Sequence, residues 1–437
     1  MNPGKPPIND PQPTTNPQRG IFATLRDTTF RSLRHRNYRL YFLGQIVSFV
    51  GSWMQSAALM WLLFDRTGDP RWPSWLLVAQ VGPTLLLGTW GGGLADRYPK
   101  RKIILATQSA FLVHATVLTF LIAFHLAPPL LVLAFMLVSG IIQSVDLPTR
   151  LAFVPDLVSK DDLINAVGLN SLLFNSARAI GPALAGIIFL LASFAMPEFP
   201  PGTNPVTVGA VACFAINAVS FVAVIIALLG IHVPGDSVKK KREATSMWDG
   251  VRYLRENATL GGLVLLTLVI CIFGWPLLTI LPAFTRLRLG HGEQTYSTLV
   301  STVGAGALVA SLTTATFGTP ERRWRFLVLG ATVTAVGLLG VSQSVSLAFA
   351  AGACALAGFG LILFLSTGQS TLQLAVPDAK RGRVMALWAM TLAASAPLGH
   401  LLAGQAVTMF GVEAVLTGMA AGVGVCALGL AMLVLRK

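Results

Sequence analysis

The stretch GGLADRYPKRK, residues 92–102, separates two long apolar runs at about 74–94 and 103–125. Each run is long enough to cross a bilayer as a helix. The glycines allow helices to approach closely, and charges of both signs can pair with neighbouring helix ends. The stretch therefore predicts a short charged joint at a membrane surface, in a protein whose parts rock against one another.

The composition also indicates a membrane protein. Of the 437 residues, 54% are hydrophobic and 11% are charged, and the mean hydropathy is +0.69. Soluble domains carry about 25% charged residues. The net charge of +14 falls in short clusters between apolar runs, as in the loops of a polytopic membrane protein. We therefore expect the lipid bilayer, and not nucleic acid, as the partner of the basic residues.

The hydrophobic pattern predicts twelve membrane-spanning helices. The runs lie at about 40–64, 74–94, 103–125, 130–149, 163–194, 207–231, 259–284, 295–317, 325–343, 346–374, 384–409 and 412–435. With an even number of spans, both termini lie on one side. If that side is the cytoplasm, 27 of the 32 Lys and Arg lie in inside segments and only Arg178 lies within a span. The charge bias of loops therefore predicts cytoplasmic termini.

A polar stretch near the middle divides the chain into two halves. We expect a disordered cytoplasmic tail at 1–30, a six-helix bundle at 31–231, a cytoplasmic linker at 232–258 and a second six-helix bundle at 259–437. Apolar residues recur at helical spacing near the end of the linker, which predicts an amphipathic surface helix. They are Met247, Trp248, Val251 and Leu254.

The two halves resemble each other. Val154-Pro155-Asp156 ends the fourth run, and Val376-Pro377-Asp378 ends the tenth, 222 positions later. The sequence GTPERR, residues 318–323, is a weak echo of the charged joint. Parallel repeats of six helices are a known transporter architecture, with the substrate site between the halves.

The joint resembles motif A of the major facilitator superfamily, G-x-L-a-D-r-x-G-r-k, with Pro99 in place of the second glycine. The matching residues are Gly92, Leu94, Asp96, Arg97, Lys100 and Arg101. The segments 34–40, 147–158, 169–178 and 381–385 resemble the enterobactin-exporter-like branch of drug and siderophore efflux proteins. This resemblance covers nearly the whole chain after residue 30.

The resemblance implies an all-α integral membrane fold with twelve helices in two pseudo-symmetric bundles. It also implies a monomeric secondary transporter of the bacterial inner membrane, without a cofactor, that exports a small molecule by alternating access and proton antiport. A siderophore or an amphipathic drug-like compound is the expected substrate. A multidrug or cation pump, or a membrane-embedded lipid-handling protein or enzyme, remains an alternative.

The resemblance further assigns Asp96 as a latch against the start of the eleventh span in the outward-facing state. The alternative is a solvated turn residue. Gly181, Pro182 and Gly186 resemble the antiporter motif of the fifth span, with Ala177 and Ala185 in place of two of its glycines. Such small residues also serve ordinary close helix packing.

Arg178 is the one basic residue deep inside a span, where a charge costs several kcal/mol unless it meets a partner or a wet cavity. With Asn170 and Asn175 it forms a polar stripe, which predicts a substrate cavity. Asp146 is a plausible partner for Arg178 or Arg150. A purely structural ion pair remains the alternative. By elimination, Asp146 is also our candidate proton carrier.

Two further polar stripes follow helical spacing. One contains Gln45, Ser48, Ser52 and Gln55, and the other contains Gln369 and Gln373. The resemblance implies that these stripes face the central cavity, whereas hydrogen bonding between helices would also explain them. We find no phosphate-binding loop, no nucleophile elbow and no metal-ligand histidine pair. An enzyme is therefore disfavoured, and no metal is expected.

Overall fold

The computed structural model describes residues 30–195, 204–232, 248–319 and 321–435. The regular structure in these ranges is helical, without a strand. The helices are α1 Arg36–Thr67, α2 Arg71–Arg97, α3 Lys100–Ala123, α4 Pro129–Phe153, α5 Leu163–Ala195, α6 Pro205–Leu229, α7 Trp248–Glu256, α8 Ala258–Gly274, α9 Leu277–Ala283, α10 Glu293–Phe317, α11 Arg323–Gln343, α12 Leu347–Ala375, α13 Asp378–Phe410 and α14 Val412–Leu435. Nearly all of the expected tail at 1–30 and the linker residues 233–247 lie outside the described ranges.

Eleven helices in the described ranges are long and apolar enough to cross a membrane, and one of these spans joins α8, α9 and residues up to Arg288. The predicted all-α membrane fold is thereby confirmed. The second predicted span, α2, has 27 residues but is not among the eleven. Its lower hydropathy follows from Gln80, Thr84 and five glycines, four of which lie in its second half. α2 packs on α4 and α13, so protein covers much of this more polar surface.

The seventh predicted span is broken into segments by its prolines. α8 ends at Gly274, α9 begins after Pro276, and a π-helical turn follows from Phe284 to Arg288. Proline lacks a backbone N–H, so Pro276 and Pro282 each remove a helical hydrogen bond. The break places Trp275 in the bend between the two helical segments.

The helices group into two bundles. α1–α6 pack mainly on one another, as do α8–α14, and the bundles meet chiefly along α5 with α10 and α2 with α13. Glycines make these junctions close. A Cβ atom added at Gly304 of α10 would lie 2.6 Å from the backbone of Ala179 in α5. One added at Gly404 of α13 would lie 2.4 Å from Oγ of Ser74 in α2.

We name the two ends of the molecule by their charge. At the basic end, which contains the starts of α1, α3 and α5, Arg101 donates to the carbonyl of Leu228 at 2.8 Å, at the end of α6. Basic groups at the C-terminus of a helix are favourable, because the helix dipole is negative there. The other end, called the opposite end below, contains the α1–α2 connection and Arg286.

The linker helix α7 lies against α13 at the basic end. A Cβ atom added at Gly250 would meet Cβ of Arg383 at 3.1 Å, and Asp249 pairs with Arg383 at 3.2 Å. Tyr253 and Leu254 pack against the hydrophobic core. The amphipathic helix therefore begins at Trp248 and joins the second bundle through one face.

Candidate functional site

Arg178 lies where the two bundles meet. It belongs to α5, is 4% exposed, and its guanidinium carbon is 5.4 Å from the ring centre of Trp53 in α1. On the other side it is 5.1 Å from the ring centre of Trp275, in the second bundle. Two aromatic faces therefore flank the cation, one from each bundle.

The guanidinium of Arg178 has no hydrogen bond or ion pair within the described part of the chain, and its Nε is fully buried. Cation–π contacts contribute about 0.5–2 kcal/mol each. Burying an unpaired charge costs several kcal/mol. The two tryptophans therefore offset only part of this cost, and no carboxylate in the described part of the chain supplies the rest.

Asp146 is paired with Arg150, the nearer of its two expected partners. Its Oδ2 lies 2.6 Å from Nη2 of Arg150, one helical turn along α4. Its Oδ1 accepts from Oγ1 of Thr107 at 2.6 Å and from Nε2 of Gln108 at 2.9 Å, both on α3. The expected alternative pair between Asp146 and Arg178 is absent from this structure.

The polar stripe of α1 is used within the first bundle. Gln45 accepts from Arg150, and Gln55 accepts from Asn217 of α6 at 2.6 Å. Ser48 is buried and Ser52 is half-buried. In this conformation Gln45 and Gln55 thus join α1 to α4 and α6, which matches the alternative of hydrogen bonding between helices.

The other expected cavity residues are more accessible. Asn170 and Asn175 on α5 are half-buried, while Gln369 and Gln373 on α12 are exposed. Asn175 donates to the carbonyl of Ser171 at 3.0 Å, within its own helix. The structure does not bring these four side chains into one contact group with Arg178.

The motif at 181–186 sits between α1 and α10. A Cβ added at Gly181 would lie 2.6 Å from Cβ of Trp53, and Pro182 is buried. At Gly186 an added Cβ would lie 2.9 Å from Cβ of Ser297 in the second bundle. Gly181 therefore lets Trp53 pack closely against α5 beside Arg178. Gly186 allows close contact between the two bundles.

The residues of the joint at 92–102 have two different environments. Asp96 and Arg97 are exposed, Leu94 is half-buried, and a Cβ at Gly92 would meet open space. Lys100, by contrast, pairs with Asp156, and Arg101 caps α6. Asp96 has no partner in the described ranges, so its expected latch on α13 is not formed in this conformation.

The glycine that packs most closely near the joint is Gly91, which sequence analysis did not single out. An added Cβ there would lie 2.1 Å from the carbonyl oxygen of Ser144 in α4. Local sequence carries no signal that separates Gly91 from Gly92, because both belong to one glycine run. They differ only in the side of α2 on which each one lies: Gly91 faces α4, and Gly92 faces open space.

Contacts between the bundles at the opposite end were also missed. Asp65 of α1 forms an ion pair with Arg286, whose guanidinium carbon lies 5.4 Å from the ring centre of Trp61. Trp61 stacks on Tyr296 of α10, with ring centres 5.4 Å apart. Asp65 and Arg286 lie 221 positions apart, so their pairing leaves no trace in local sequence.

A third group, missed in the same way, surrounds Asp162 before α5. Arg31 and Arg34 pair with its carboxylate, and Nε2 of His35 lies 2.7 Å from Oδ2. Asp162 is fully buried. The hydrogen bond from His35, followed by those from Arg31 and Arg34, holds the pKa of this carboxyl well below its usual range. We call this group the Asp162 clasp.

Within the described ranges, no group of three or more His, Cys, Asp or Glu side chains is arranged to hold a metal ion. The four cysteines are buried and unpaired. Arg178 and the junction glycines Gly304 and Gly404 instead lie where the two bundles contact each other.

Comparison with known proteins supports a transporter. The chain is 24% identical to the staphyloferrin A transporter of Staphylococcus aureus over 380 residues, covering 86% of this chain and 90% of that protein. It is 24% identical to the enterobactin exporter EntS of Shigella boydii over 407 residues, covering 91% of each. It is 22% identical to macrolide efflux protein A of Streptococcus pyogenes, covering 87% of this chain and 92% of that protein.

Solved structures show the same fold at low identity. A bacterial homologue of the lysosomal transporter Spinster, in an inward-facing and occupied conformation, matches with a TM-score of 0.66 and 16% identity. The match covers 92% of this chain and 97% of that one. A bacterial homologue of ferroportin, in an inward-facing state, matches with a TM-score of 0.64 and 16% identity, covering 90% and 98%.

The family described as transmembrane secretion effectors matches residues 27–437. This match covers both bundles, the joint at 92–102 and the motif at 181–186. The chain therefore belongs to the transmembrane secretion effector family of the major facilitator superfamily, and it is a multi-pass membrane transporter of the efflux branch rather than an enzyme.

Proposed function

We propose that this protein exports a small anionic, partly aromatic molecule, of the siderophore or drug-like class, by alternating access. The observation that carries the proposal is the buried guanidinium of Arg178, which lies between Trp53 and Trp275 and has no acidic partner among the described residues. A carboxylate or catecholate would supply the missing charge and hydrogen bonds. The aromatic walls suit the flat or apolar part of such a ligand.

The relatives support this substrate class. Two of them are a transporter and an exporter named for siderophores, staphyloferrin A and enterobactin. The macrolide efflux relative keeps a bulky drug-like substrate as a second candidate. A simple organic cation is disfavoured, because Arg178 would repel it at the junction of the bundles.

We place the basic end in the cytoplasm of a bacterium, with both termini inside and a monomer in the inner membrane. The charge bias of the loops supports this orientation. The conformation described here is then inward-facing, since the bundles meet at the opposite end while Asp96 and Arg97 are exposed. Cysteines placed at Asp69 and Gly292 should react with an impermeant thiol reagent from outside, and one at Pro99 should not. Labelling at Pro99 in intact cells would reverse the orientation.

Proton antiport through Asp146 is the proposed coupling. Asp146 is fully buried and binds Arg150, Thr107 and Gln108. Protonation of its carboxyl would end the ion pair and free Arg150, which also holds Gln45 of α1. The proton would thus loosen α4 from α1 and α3. In proteoliposomes, Asp146→Asn should abolish substrate-driven proton flux. Unchanged flux would remove Asp146 from the coupling step.

The proposal is tested by export assays in cells that lack their own exporters. The compounds are a catecholate siderophore, a macrolide and a lipophilic cation. Arg178→Ala should lower siderophore export at least about tenfold, because a charged hydrogen bond is lost, and Arg178→Lys should keep part of it. The control is Arg325→Ala, which removes an exposed arginine. Export of the cation alone, unaffected by Arg178→Ala, would identify a cation pump instead.

A further inference from the structure

The second bundle contains a polar cavity at the basic end that the transport site does not use. It has a volume of about 410 Å³ and lies between the junction of α7 with α8, the start of α11 and the end of α12. Small-molecule sites usually measure roughly 300–1,000 Å³. Among its lining residues are Tyr253, Asn257, Arg323 and Thr371.

Arg323 is the residue that gives this cavity its charge. Its Nε is buried without a hydrogen-bond partner, and its guanidinium forms no ion pair within the described ranges. A second cavity of about 50 Å³ borders Arg323 and is lined also by Thr367. The hydroxyl of Thr367 is likewise buried without a partner. Two donor side chains without a hydrogen-bond partner thus lie at these two neighbouring cavities.

The start of α11 adds to the attraction for an anion. This 21-residue helix begins at Arg323, and no side chain caps its N-terminus. The first N–H groups of a helix lack partners within the helix, and the dipole makes this end positive. The guanidinium of Arg323 and the helix end therefore attract a negative group at the same cavity wall.

The remaining charged neighbours leave this attraction intact. Glu256 lines the cavity, but its carboxylate accepts from Arg252 at 3.1 Å. Lys380 lies over the ring of Tyr253, with Nζ 4.7 Å from the ring centre. Glu321, exposed before α11, interacts electrostatically with Arg322 and Arg323 but forms no ion pair with Arg323 within the described ranges. Two carboxylates thus stand against the guanidinium of Arg323, a helix N-terminus and a nearby ammonium group.

We propose that this cavity binds a phosphate group, and that anionic phospholipid headgroups supply it. The cavity lies beside α7, an amphipathic helix, and such helices lie at the level of the headgroups. Arginine binds phosphate through two parallel hydrogen bonds. A free phosphate ester offers the same chemistry from solution, and the test separates the two sources. The inference rests on the second bundle alone and does not depend on the proposed transport substrate.

Native mass spectrometry of the purified full-length protein tests the proposal. The protein would be titrated with short-chain phosphatidylglycerol or phosphatidylcholine, and in a separate arm with inorganic phosphate. The wild type should bind phosphatidylglycerol in preference to phosphatidylcholine. Arg323→Gln should weaken this binding about tenfold, from the loss of one charged hydrogen-bonding group.

The matched control is Arg322→Gln, which removes the same charge from an exposed neighbour that does not line either cavity. It should bind as the wild type does. Arg323→Lys keeps the charge without the planar fork, so it should bind with intermediate affinity, and it serves if the glutamine variant does not fold. Equal binding by the lysine variant and the wild type would contradict the role of the guanidinium.

The remaining outcomes decide between the sources. Binding of inorganic phosphate that depends on Arg323, without binding of phosphatidylglycerol, would establish a site for a soluble phosphate and overturn the lipid assignment. Equal binding of phosphatidylglycerol by Arg323→Gln and Arg322→Gln would overturn the site. Absence of binding by the wild type to either ligand would overturn the proposal as a whole.

Discussion

The two ends of the molecule differ in how the bundles meet. At the opposite end, the Asp65–Arg286 ion pair and the Trp61–Tyr296 stack join them. At the basic end, Asp96 is exposed and has no partner in the described ranges. The closed end is held by one ion pair, one aromatic stack and close glycine contacts. Each of these is weak, so the junction can open again when the other end closes.

Gly304→Val should have the largest effect on the closed end, because it forces apart α5 and α10, which touch here midway along both helices. The added side chain would overlap the backbone of Ala179, where a Cβ alone lies at 2.6 Å. Overpacking costs about 1–3 kcal/mol, which lowers the closed population about 5- to 150-fold. Distances between spin labels on the two bundles at the opposite end, together with export, measure the effect.

Gly418→Val is the control for that variant, because a Cβ at Gly418 meets open space. It should leave distances and export unchanged. If Gly304→Val also left both unchanged, close approach of α5 and α10 would not be required for the cycle.

Asp65→Asn should open the same end by a smaller amount. The pair with Arg286 is partly exposed, and such pairs contribute about 0.2–1 kcal/mol, so the closed population should fall up to about fivefold. The charge-swapped double variant, Asp65→Arg with Arg286→Asp, should recover it. If neither single variant changed the closed population, the ion pair would not be needed to hold this end.

Asp96→Asn should act on the conformation in which the basic end is closed. Because Asp96 has no partner here, the substitution should not destabilise this state. It should weaken the latch on α13, expected at about 0.3–1 kcal/mol, and shift the population two- to fivefold toward the state open at the basic end. Label distances across the basic end measure this shift. Glu321→Gln, an exposed acid in the corresponding loop of the second bundle, is the control. An unchanged distribution with normal export would reduce Asp96 to a turn residue.

The smallest effect is expected at the Asp162 clasp, which belongs to one bundle and does not link the two. In the folded state, hydrogen bonds from His35, Arg31 and Arg34 lower the pKa of the Asp162 carboxyl. The stability that it contributes is therefore present above the ordinary pKa of about 3.9. It is lost as the pH falls through the lower folded value. Thermal unfolding should thus show no pH dependence from the Asp162 carboxyl itself between pH 5 and 8.

Asp162→Asn should lower the melting temperature by a few degrees in that range and leave the distribution of conformations unchanged. Asp161→Asn is the matched control, since the structure shows only its backbone carbonyl, not its side chain, bound to Arg31. A shift in label distances with Asp162→Asn would show that the clasp takes part in opening.

Much of the fold could be predicted because the membrane makes local sequence decisive. A span needs about 20 apolar residues, and its backbone N–H and C=O groups must form hydrogen bonds within the segment. An apolar run such as 103–125 is therefore a helix, and it corresponds closely to α3. The second span was predicted from the apolar run at about 74–94, but α2 as a whole is too polar to be among the eleven. The break at Trp275-Pro276 was not predicted, because a proline inside an apolar run is compatible with either a bent or an interrupted helix.

The site residues were only partly predictable. Arg178 was found because a lone charge in a span is costly and therefore conspicuous. Its neighbours were not found, since Trp53 and Trp275 lie far from it in sequence. Of the two partners expected for Asp146, the structure shows Arg150, which lies four residues away and so on the same face of α4.

The sequence by itself determined the membrane class, the order of the apolar helices and the family, because hydropathy, loop charge and the joint at 92–102 are local patterns. Tertiary structure alone decided which end is closed, which polar residues face each other, and which glycines touch a neighbouring helix. These features depend on the rotation of each helix about its axis and on pairs hundreds of residues apart. Asp65 shows the difference: its sequence places it at the end of a span, and only the packing of the two bundles gives it Arg286 as a partner.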